Sequence, residues 1–462
     1  MGDVLQRGPT AELHGASPER LHLGEGAAAE PRIGTDDSEV AHRHCVRLAW
    51  LGEPLSSLAV MAARTRLLVL NQYYWPGVEA TANLLTELCE ALGETHDVTV
   101  ITGASPGLPA RQVRNGVEIV RVRSTTFDRS RLFRRALNYV SYVVGLGWRA
   151  MFTRRPDLVV SMTDPPFIGS IARAVAARFR VPLLIVMQDV FPEIAVKLGR
   201  LKSPISARLL RLLIDPSLRA ADRVVVIGQT MKRRVEEKGV SGQRIRVIPN
   251  WGDVVGVVPM PHENEWSRRH RLTKRFVVMH SGNIGHAQNL DALVRAATFL
   301  RDLDDLAVVI IGTGARRAQL IQLARLLETD KVEILPFQER SILSQSLSTA
   351  DVHVVGLAKG LAGYVVPSRL YGILAAGRPV IAATDPESET AQLVAEVGCG
   401  VLVPPGNPLA LADAIRAAHD GEYDLVEMGR RARAFAEAEG DRSIAVRRYL
   451  DVLGELEAAG AR

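Results

Sequence analysis

From Arg66 onward, short apolar runs alternate with longer stretches whose apolar residues recur at helical spacing. The runs Leu67–Leu70, Val98–Ile101, Ile119–Val122, Leu158–Ser161, Leu183–Met187, Arg223–Ile227 and Arg246–Ile248 predict strands. Helical stretches lie between several of them, among them Thr81–Leu92 and Phe167–Phe179. Runs that are apolar on successive residues, and are flanked by helices, belong to parallel strands covered on both faces. The pattern then restarts with strands at Phe276–His280, Ala307–Ile311, Val332–Leu335, Val352–Val355, Pro379–Ala382 and Gly400–Val403. Between these the spacing predicts helices over Asn289–Leu300, Arg316–Leu327, Ser341–Thr349, Leu370–Ala375 and Thr390–Val397, with a last one over Ile444–Ala458.

Two successive α/β sets predict two doubly wound domains joined near Pro249-Asn-Trp-Gly-Asp253. The first should occupy residues 61–250 and the second 251–462, the terminal helix included. Residues 1–60 lack sustained periodicity and are rich in Gly, Pro, Ala, Glu and Arg, a composition expected of a disordered extension. Folding is expected to begin near Met61, which is also a candidate translation start.

Composition narrows the class without choosing a function. A chain of 462 residues, 47% hydrophobic and 23% charged, can bury two substantial cores. Its net charge of +6 suits an anionic partner such as a nucleotide, a phosphate or a lipid headgroup. Cys45, Cys89 and Cys399 are odd in number and far apart, showing neither metal spacing nor a disulfide framework, so a reducing compartment is expected. No uninterrupted apolar run reaches the ~18–20 residues that span a bilayer. The apolar stretch within Arg47–Ala63 is broken by Glu53 and Pro54 and lies too far from Met1 for a signal peptide.

In open α/β sheets, ligands bind at the carboxyl ends of strands, so the chemistry is sought just after each run. After the first strand, Gly77 permits a tight backbone approach ahead of a helix N-terminus that could receive an anion. In Ser281-Gly-Asn-Ile-Gly-His-Ala-Gln-Asn-Leu290, Gly282 and Gly285 free the backbone to approach a phosphate, while Asn283 and Gln288 could hydrogen-bond it without charge. Either loop could equally be a plain glycine turn. Gly312-Thr-Gly314 lacks the third glycine of a dinucleotide fingerprint, Arg317 standing there, and a tight strand-to-helix turn accounts for it. Pro367 and Ser368 are candidate N-cap and first-turn residues of a helix ending at Gly377. Amides at that end could face a diphosphate, with Arg369 adding a full charge. Asp189 follows a strand, where a carboxylate could hold sugar hydroxyls, move a proton, or serve only as a loop residue. Asp302-x-Asp304 spells a metal-binding pair but falls between a helix and the incoming strand, at the wrong end of the sheet.

The segments Val247-Ile-Pro-Asn250, His280-Ser-Gly-Asn283, Val309-Ile-Ile-Gly-Thr-Gly314 and Ala375-Ala-Gly-Arg-Pro-Val380, in this order and spacing, resemble glycosyltransferase family 4. The likeness runs from about Leu67 to the C-terminus. Asn71-Gln-Tyr-Tyr-Trp-Pro76, Gln188-Asp-Val-Phe-Pro-Glu193 and Pro367-Ser-Arg-Leu-Tyr371 make it most similar to the colanic-acid and fucosamine-type transferases of bacterial surface polysaccharide assembly. The resemblance implies a GT-B fold of two facing Rossmann-like domains, α/β in class with mostly parallel sheets. It further implies a nucleotide-diphospho-sugar donor in the second domain, an acceptor in the first, retention of anomeric configuration, and no metal or other cofactor. Two departures stand out. The family's Glu-x7-Glu appears here as Tyr364 and Gly372, and its Arg-x4-Lys phosphate pair as Asn283 and Gln288. Glu389 then becomes the candidate for the donor ribose and Arg369 for the diphosphate.

Asp128–Arg155 has basic ends around an apolar, aromatic centre, which suits either a core helix or contact with anionic lipid and a polyprenyl diphosphate. The resemblance favours a cytoplasmic protein held peripherally on the inner face of the plasma membrane, with a polyprenyl-diphosphate-linked glycan as acceptor and no nucleic-acid partner. Two other classes share the architecture: a non-hydrolysing UDP-sugar 2-epimerase, and a catalytically silent binding protein. The epimerase needs an acid/base cluster at the sugar, which the sequence does not display.

Overall fold

The computed structural model describes residues 64–77, 79–105, 107–123 and 132–460, with side chains from 140 onward in the last span. The expected 1–60 extension, Arg131, and the side chains of Arg134 and Arg135 in the amphipathic segment lie outside what is described.

Two sheets account for the α/β pattern. The first runs β3-β4-β2-β1-β5-β6-β7-β8, with β1 (Arg66–Leu70), β2 (Asp97–Gly103), β3 (Arg111–Arg114), β4 (Val117–Val122), β5 (Leu158–Ser161), β6 (Leu183–Val186), β7 (Arg223–Val226) and β8 (Ile245–Val247). Its helices are α1 (Ala80–Leu92), α2 (Leu132–Met151), α3 (Ile168–Phe179), α4 (Glu193–Lys197), α5 (Pro204–Ala220) and α6 (Gln229–Glu236). The second sheet runs β11-β10-β9-β12-β13-β14 and is parallel throughout: β9 (Phe276–Ser281), β10 (Leu306–Ile311), β11 (Val332–Leu335), β12 (Val352–Gly356), β13 (Val380–Ala383) and β14 (Gly400–Val403). Around it lie α7 (Glu265–Arg269), α8 (Asp291–Ala296), α9 (Arg317–Leu326), α10 (Leu343–Ser348), α11 (Arg369–Ala375), α12 (Glu389–Val397), α13 (Pro408–His419) and α14 (Leu425–Ala438), and the chain closes with α15 (Arg442–Gly460).

The central strands are buried on both faces, which is why they read as unbroken apolar runs. One strand escapes that signal. β3 carries the polar sequence Arg-Gln-Val-Arg and pairs antiparallel with β4 at the sheet edge. A two-residue Asn115-Gly116 turn joins them, both residues at positive φ, so glycine at 116 avoids the strain a side chain would bring. Arginines on the edge discourage strand addition there.

The terminal helix departs from the sequence reading, which grouped it with the second domain. Ala445, Tyr449, Val452, Leu453 and Leu456 of α15 join a core with Leu67, Val69, Val98 and Val225 of the first sheet. Tyr449 meets Trp251 edge-to-face, with ring centroids 6.3 Å apart. Glu455 receives Arg223 (2.9 Å) and Arg246 (2.8 Å). A helical period shows that one face is buried but not what buries it.

Candidate active site

Each sheet has a point at which strand order reverses. β1 is flanked by β2 and β5, and β9 by β10 and β12, so the loops leaving these strands diverge and open a crevice. Most of the sequence candidates fall on such loops.

After β9 the chain approaches its neighbour backbone to backbone. The Gly282 amide donates to the Ile311 carbonyl (2.9 Å), and that of Ile284 to Thr313 (2.8 Å). A Cβ at Gly312 would stand 1.8 Å from the Gly282 carbonyl oxygen, and one at Gly314 would stand 2.3 Å from that of Ile284. The Gly-x-Gly after β10 thus serves close packing of two loops. Asn283 lies exposed on the crest of the loop. Gln288 is buried and turns inward, its Oε1 accepting from the Gly285 amide (3.0 Å).

Arg369 opens α11, with Ser368 at the preceding cap position and making no side-chain cap bond. The helix closes at Gly377 (φ 64°), where the Gly377 amide donates to Leu374 (3.0 Å) and that of Arg378 to Ile373 (3.3 Å). The guanidinium lies along the glycine loop: a Cβ at Gly282 would be 3.5 Å from Nε and 3.6 Å from Cζ. Its Nη1 rests against both ring nitrogens of His280, at 2.6 Å from Nε2 and 2.9 Å from Nδ1. Burial, and then the Arg369 charge, push the His280 imidazolium well below its ordinary range, so the ring is neutral and can accept. Burial lowers Arg369 to about 10, which leaves it charged at neutral pH. Gly282 and Arg369 therefore meet, beside Asn283 and Ser368.

Asp189 faces the segment leading into α11. It forms an antiparallel bridge with Val365, and the Val190 amide donates to the Tyr364 carbonyl (2.9 Å). A reciprocal buried amide pair, Gln188 with Asn250 (3.1 and 3.0 Å), fixes the loop behind it. A small hollow beside Asp189 is lined by Met162, Thr163, Met187 and Phe191. Burial, with a smaller contribution from the Asp164 charge, raises the Asp189 carboxyl to about 7. Asp164 in turn accepts from the Thr81 hydroxyl (3.4 Å) at the start of α1. Just before that helix lies Gly77, where a Cβ would be 2.9 Å from the Tyr74 carbonyl oxygen.

Glu389 opens α12 and lies against α6. Its Oε1 accepts from the Met231 amide (2.9 Å) and so caps α6, while the Thr230 hydroxyl donates to the Glu387 carbonyl (2.8 Å). A Cβ on Gly228 would fall 2.0 Å from Glu389 Cγ, so glycine makes room for the carboxylate. Oε2 of Glu389 is buried with no hydrogen-bond partner. At the positions of the family's glutamates, Tyr364 lies under Lys197 (Nζ 5.2 Å from the ring centroid) and Arg234 (Cζ 4.9 Å). A side chain at Gly372 would start 3.8 Å from Leu347, toward apolar packing. Asp302 is held by Arg416 (2.7 and 2.8 Å), and that hydrogen-bonded pairing lowers its carboxyl to about 2.

Sequence reasoning gave no site role to His280, Gly228 or the two cations over Tyr364. A histidine inside an otherwise apolar buried strand was a readable signal; the other two depend on how the sheets approach each other.

Two family models cover most of the chain: the glycosyl transferase 4-like domain matches residues 77–251, and glycosyl transferases group 1 matches residues 262–435. WbjE of Pseudomonas aeruginosa, named as a glycosyltransferase, is 31% identical over 290 residues, covering 60% of this chain and 69% of WbjE. WcaI of Escherichia coli K12, named for colanic acid biosynthesis, is 27% identical over 408 residues, covering 84% of this chain and 99% of WcaI. Among solved structures, Anabaena HepE in complex with UDP-glucose superposes with a TM-score of 0.67 at 16% identity, covering 85% of this chain and all of HepE's. No helix among the described residues is long and apolar enough to cross a membrane. Matched family models, paired parallel sheets and likeness to WbjE and WcaI together identify the chain as a GT-B glycosyltransferase of family 4, an enzyme of polysaccharide biosynthesis.

Proposed function

We propose that this chain is a retaining transferase that moves a sugar from a nucleotide-diphosphate donor, a UDP-N-acetyl sugar by preference, to a polyprenyl-diphosphate-linked glycan. The observation that carries the reading is the Arg369 guanidinium laid along Gly282 and held by a neutral His280 at the second sheet's switch point. In the reaction the acceptor hydroxyl bonds to the anomeric carbon while the bond from that carbon to the diphosphate breaks. Negative charge then develops on the leaving diphosphate, and a fixed cation beside it lowers that barrier. Gly282, Asn283 and Ser368 border the diphosphate in this reading, with Gln288 bracing the loop. Asp189, whose proton is held to about pH 7, orients the donor sugar or takes the acceptor's proton. Glu389 offers its unpartnered Oε2 to the ribose hydroxyls. Gly77 lets the first lobe's loop approach the acceptor side. HepE was solved with UDP-glucose, which favours a uridine diphosphate sugar here as well.

The enzyme works at the inner face of the plasma membrane, held there peripherally by the basic, aromatic segment 128–155. Charge reversal at Arg131, Arg134 and Arg135 should abolish flotation with anionic liposomes. The function itself is tested by a nucleotide-release screen of several UDP-sugars against polyprenyl-diphosphate-linked sugars. Release that requires the acceptor is expected. Epimerisation of the donor alone, or nucleotide binding with no release against any acceptor, would overturn the reading.

A further inference from the structure

Helices α2, α3 and α5 cover one face of the first sheet: Tyr142, Leu146, Ile168, Val175, Ile214 and Leu218 all enter the same core. An ordinary amphipathic helix would then show polar residues outward. The outer side of α5 instead carries Ile205 (79% exposed), Leu209 (58%), Leu212 (65%) and Leu213. The outer side of α2 carries Val140, Val144 and Trp148 (72% exposed), followed by Phe152, one every fourth residue, with Trp148 and Phe152 in ring contact at 4.7 Å. Between the two stripes runs α3, tied to α5 by the Ser170 hydroxyl donating to the Leu213 carbonyl (2.5 Å), and it exposes Arg173 and Arg178.

The exposed charges of α3 and α5 have one sign, and Glu193 of α4 pairs only with Arg211 among them. Across α2, α3 and α5 the only acidic residue is Asp215, which is buried and paired with Lys238 (3.0 Å). Arg173, Arg178 and Arg208, with Lys202 just ahead of α5, are exposed. A second copy of the chain would set these cations against themselves across a two-fold axis. Apolar stripes flanked by unopposed cations fit an anionic bilayer, where the stripes enter the acyl boundary and the arginines meet phosphate.

We propose that the outer faces of α5 and α3 form, together with the α2 stripe, a docking surface for a membrane rich in anionic phospholipid. In the crossover from β6 to β7, α5 starts at the strand ends where the cleft opens, so Ile205 and Leu209 bring that rim to the bilayer. The proposal rests on the membrane reading above yet is separable from it: that reading is tested on the arginines before residue 140, this one on α5 and α3.

The experiment is co-sedimentation of the full chain with phosphatidylglycerol-containing vesicles and with pure phosphatidylcholine vesicles. The double variants I205S/L209S and R173E/R178E are compared with wild type. Their side chains are exposed, so unchanged melting curves should certify the fold. Wild type should bind the anionic vesicles only, and each double variant should lose at least about tenfold in partitioning, given roughly 1 kcal/mol for each surface charge and more for each large apolar side chain. Undiminished binding by the variants, or equal binding of wild type to neutral vesicles, overturns the proposal. So does a dimer in light scattering that I205S/L209S dissolves, since a second copy would then cover the face.

Discussion

Replacing Asp189 with asparagine removes a carboxyl whose proton the fold retains to about pH 7, against an ordinary value of 3.8. Between those values the folded chain binds a proton that the unfolded chain has released. Wild-type stability attributable to this group is therefore full below about 3.8, falls as pH rises, and levels off above about 7. Asparagine of nearly the same shape carries no titrating proton in either state. The advantage of D189N over wild type should thus grow by about 1.4 kcal/mol per pH unit until Asp189 ionises. Comparing about pH 5.5 with about pH 8.5, roughly 1.5 units lie below the folded value, so the advantage should grow by about 2 kcal/mol. Urea unfolding of both proteins at both pH values measures it. A difference between the proteins that stays constant across this interval would refute the burial argument. D164N supplies a control of sign: removing the neighbouring charge should lower the Asp189 value and shrink the pH dependence.

Other substitutions test other joints of the site. G312A forces a Cβ to within 1.8 Å of the Gly282 carbonyl oxygen at a φ of 144°, and should cost about 3 kcal/mol or more in urea unfolding while weakening nucleotide binding; near-neutral stability would contradict the packed double loop. G228A displaces the Glu389 carboxylate from the α6 cap, costing about 1–2 kcal/mol. E389A should cost about the same, and the double variant no more than either, so additive costs in the double-mutant cycle would disprove the shared contact. Y449A empties a fully packed place where α15 meets the first sheet and should cost about 3–5 kcal/mol by the same assay. A loss under about 1 kcal/mol would mean that the helix contributes little to that core.

Strands were legible in the sequence because a strand buried on both faces leaves an unbroken apolar run, as Leu158–Ser161 did to the residue. β3 was missed because an exposed edge strand needs no such run, although Asn115-Gly116 had announced its hairpin. The loops bearing Gly282 and Arg369 could be found from their place after strands, and the structure brings them together. Their partner His280 stood out as a histidine in an apolar run, but its contact with Arg369 required knowing that this strand position faces α11. The aim of Glu389 was illegible for a different reason: its carboxylate answers an unpaired amide of a helix about 158 residues away, and that distance closes only when the two lobes meet. Likewise the apolar period of α15 told of burial without naming the sheet that receives it.

Titration of UDP into wild type and R369A by calorimetry tests the central claim most directly, that Arg369 on the glycine loop after β9 receives the donor diphosphate. Loss of a charge-assisted contact of about 1.5–3 kcal/mol predicts binding weakened by at least about tenfold, with R369K recovering only part of it. Equal affinity of wild type and R369A for UDP would contradict the account.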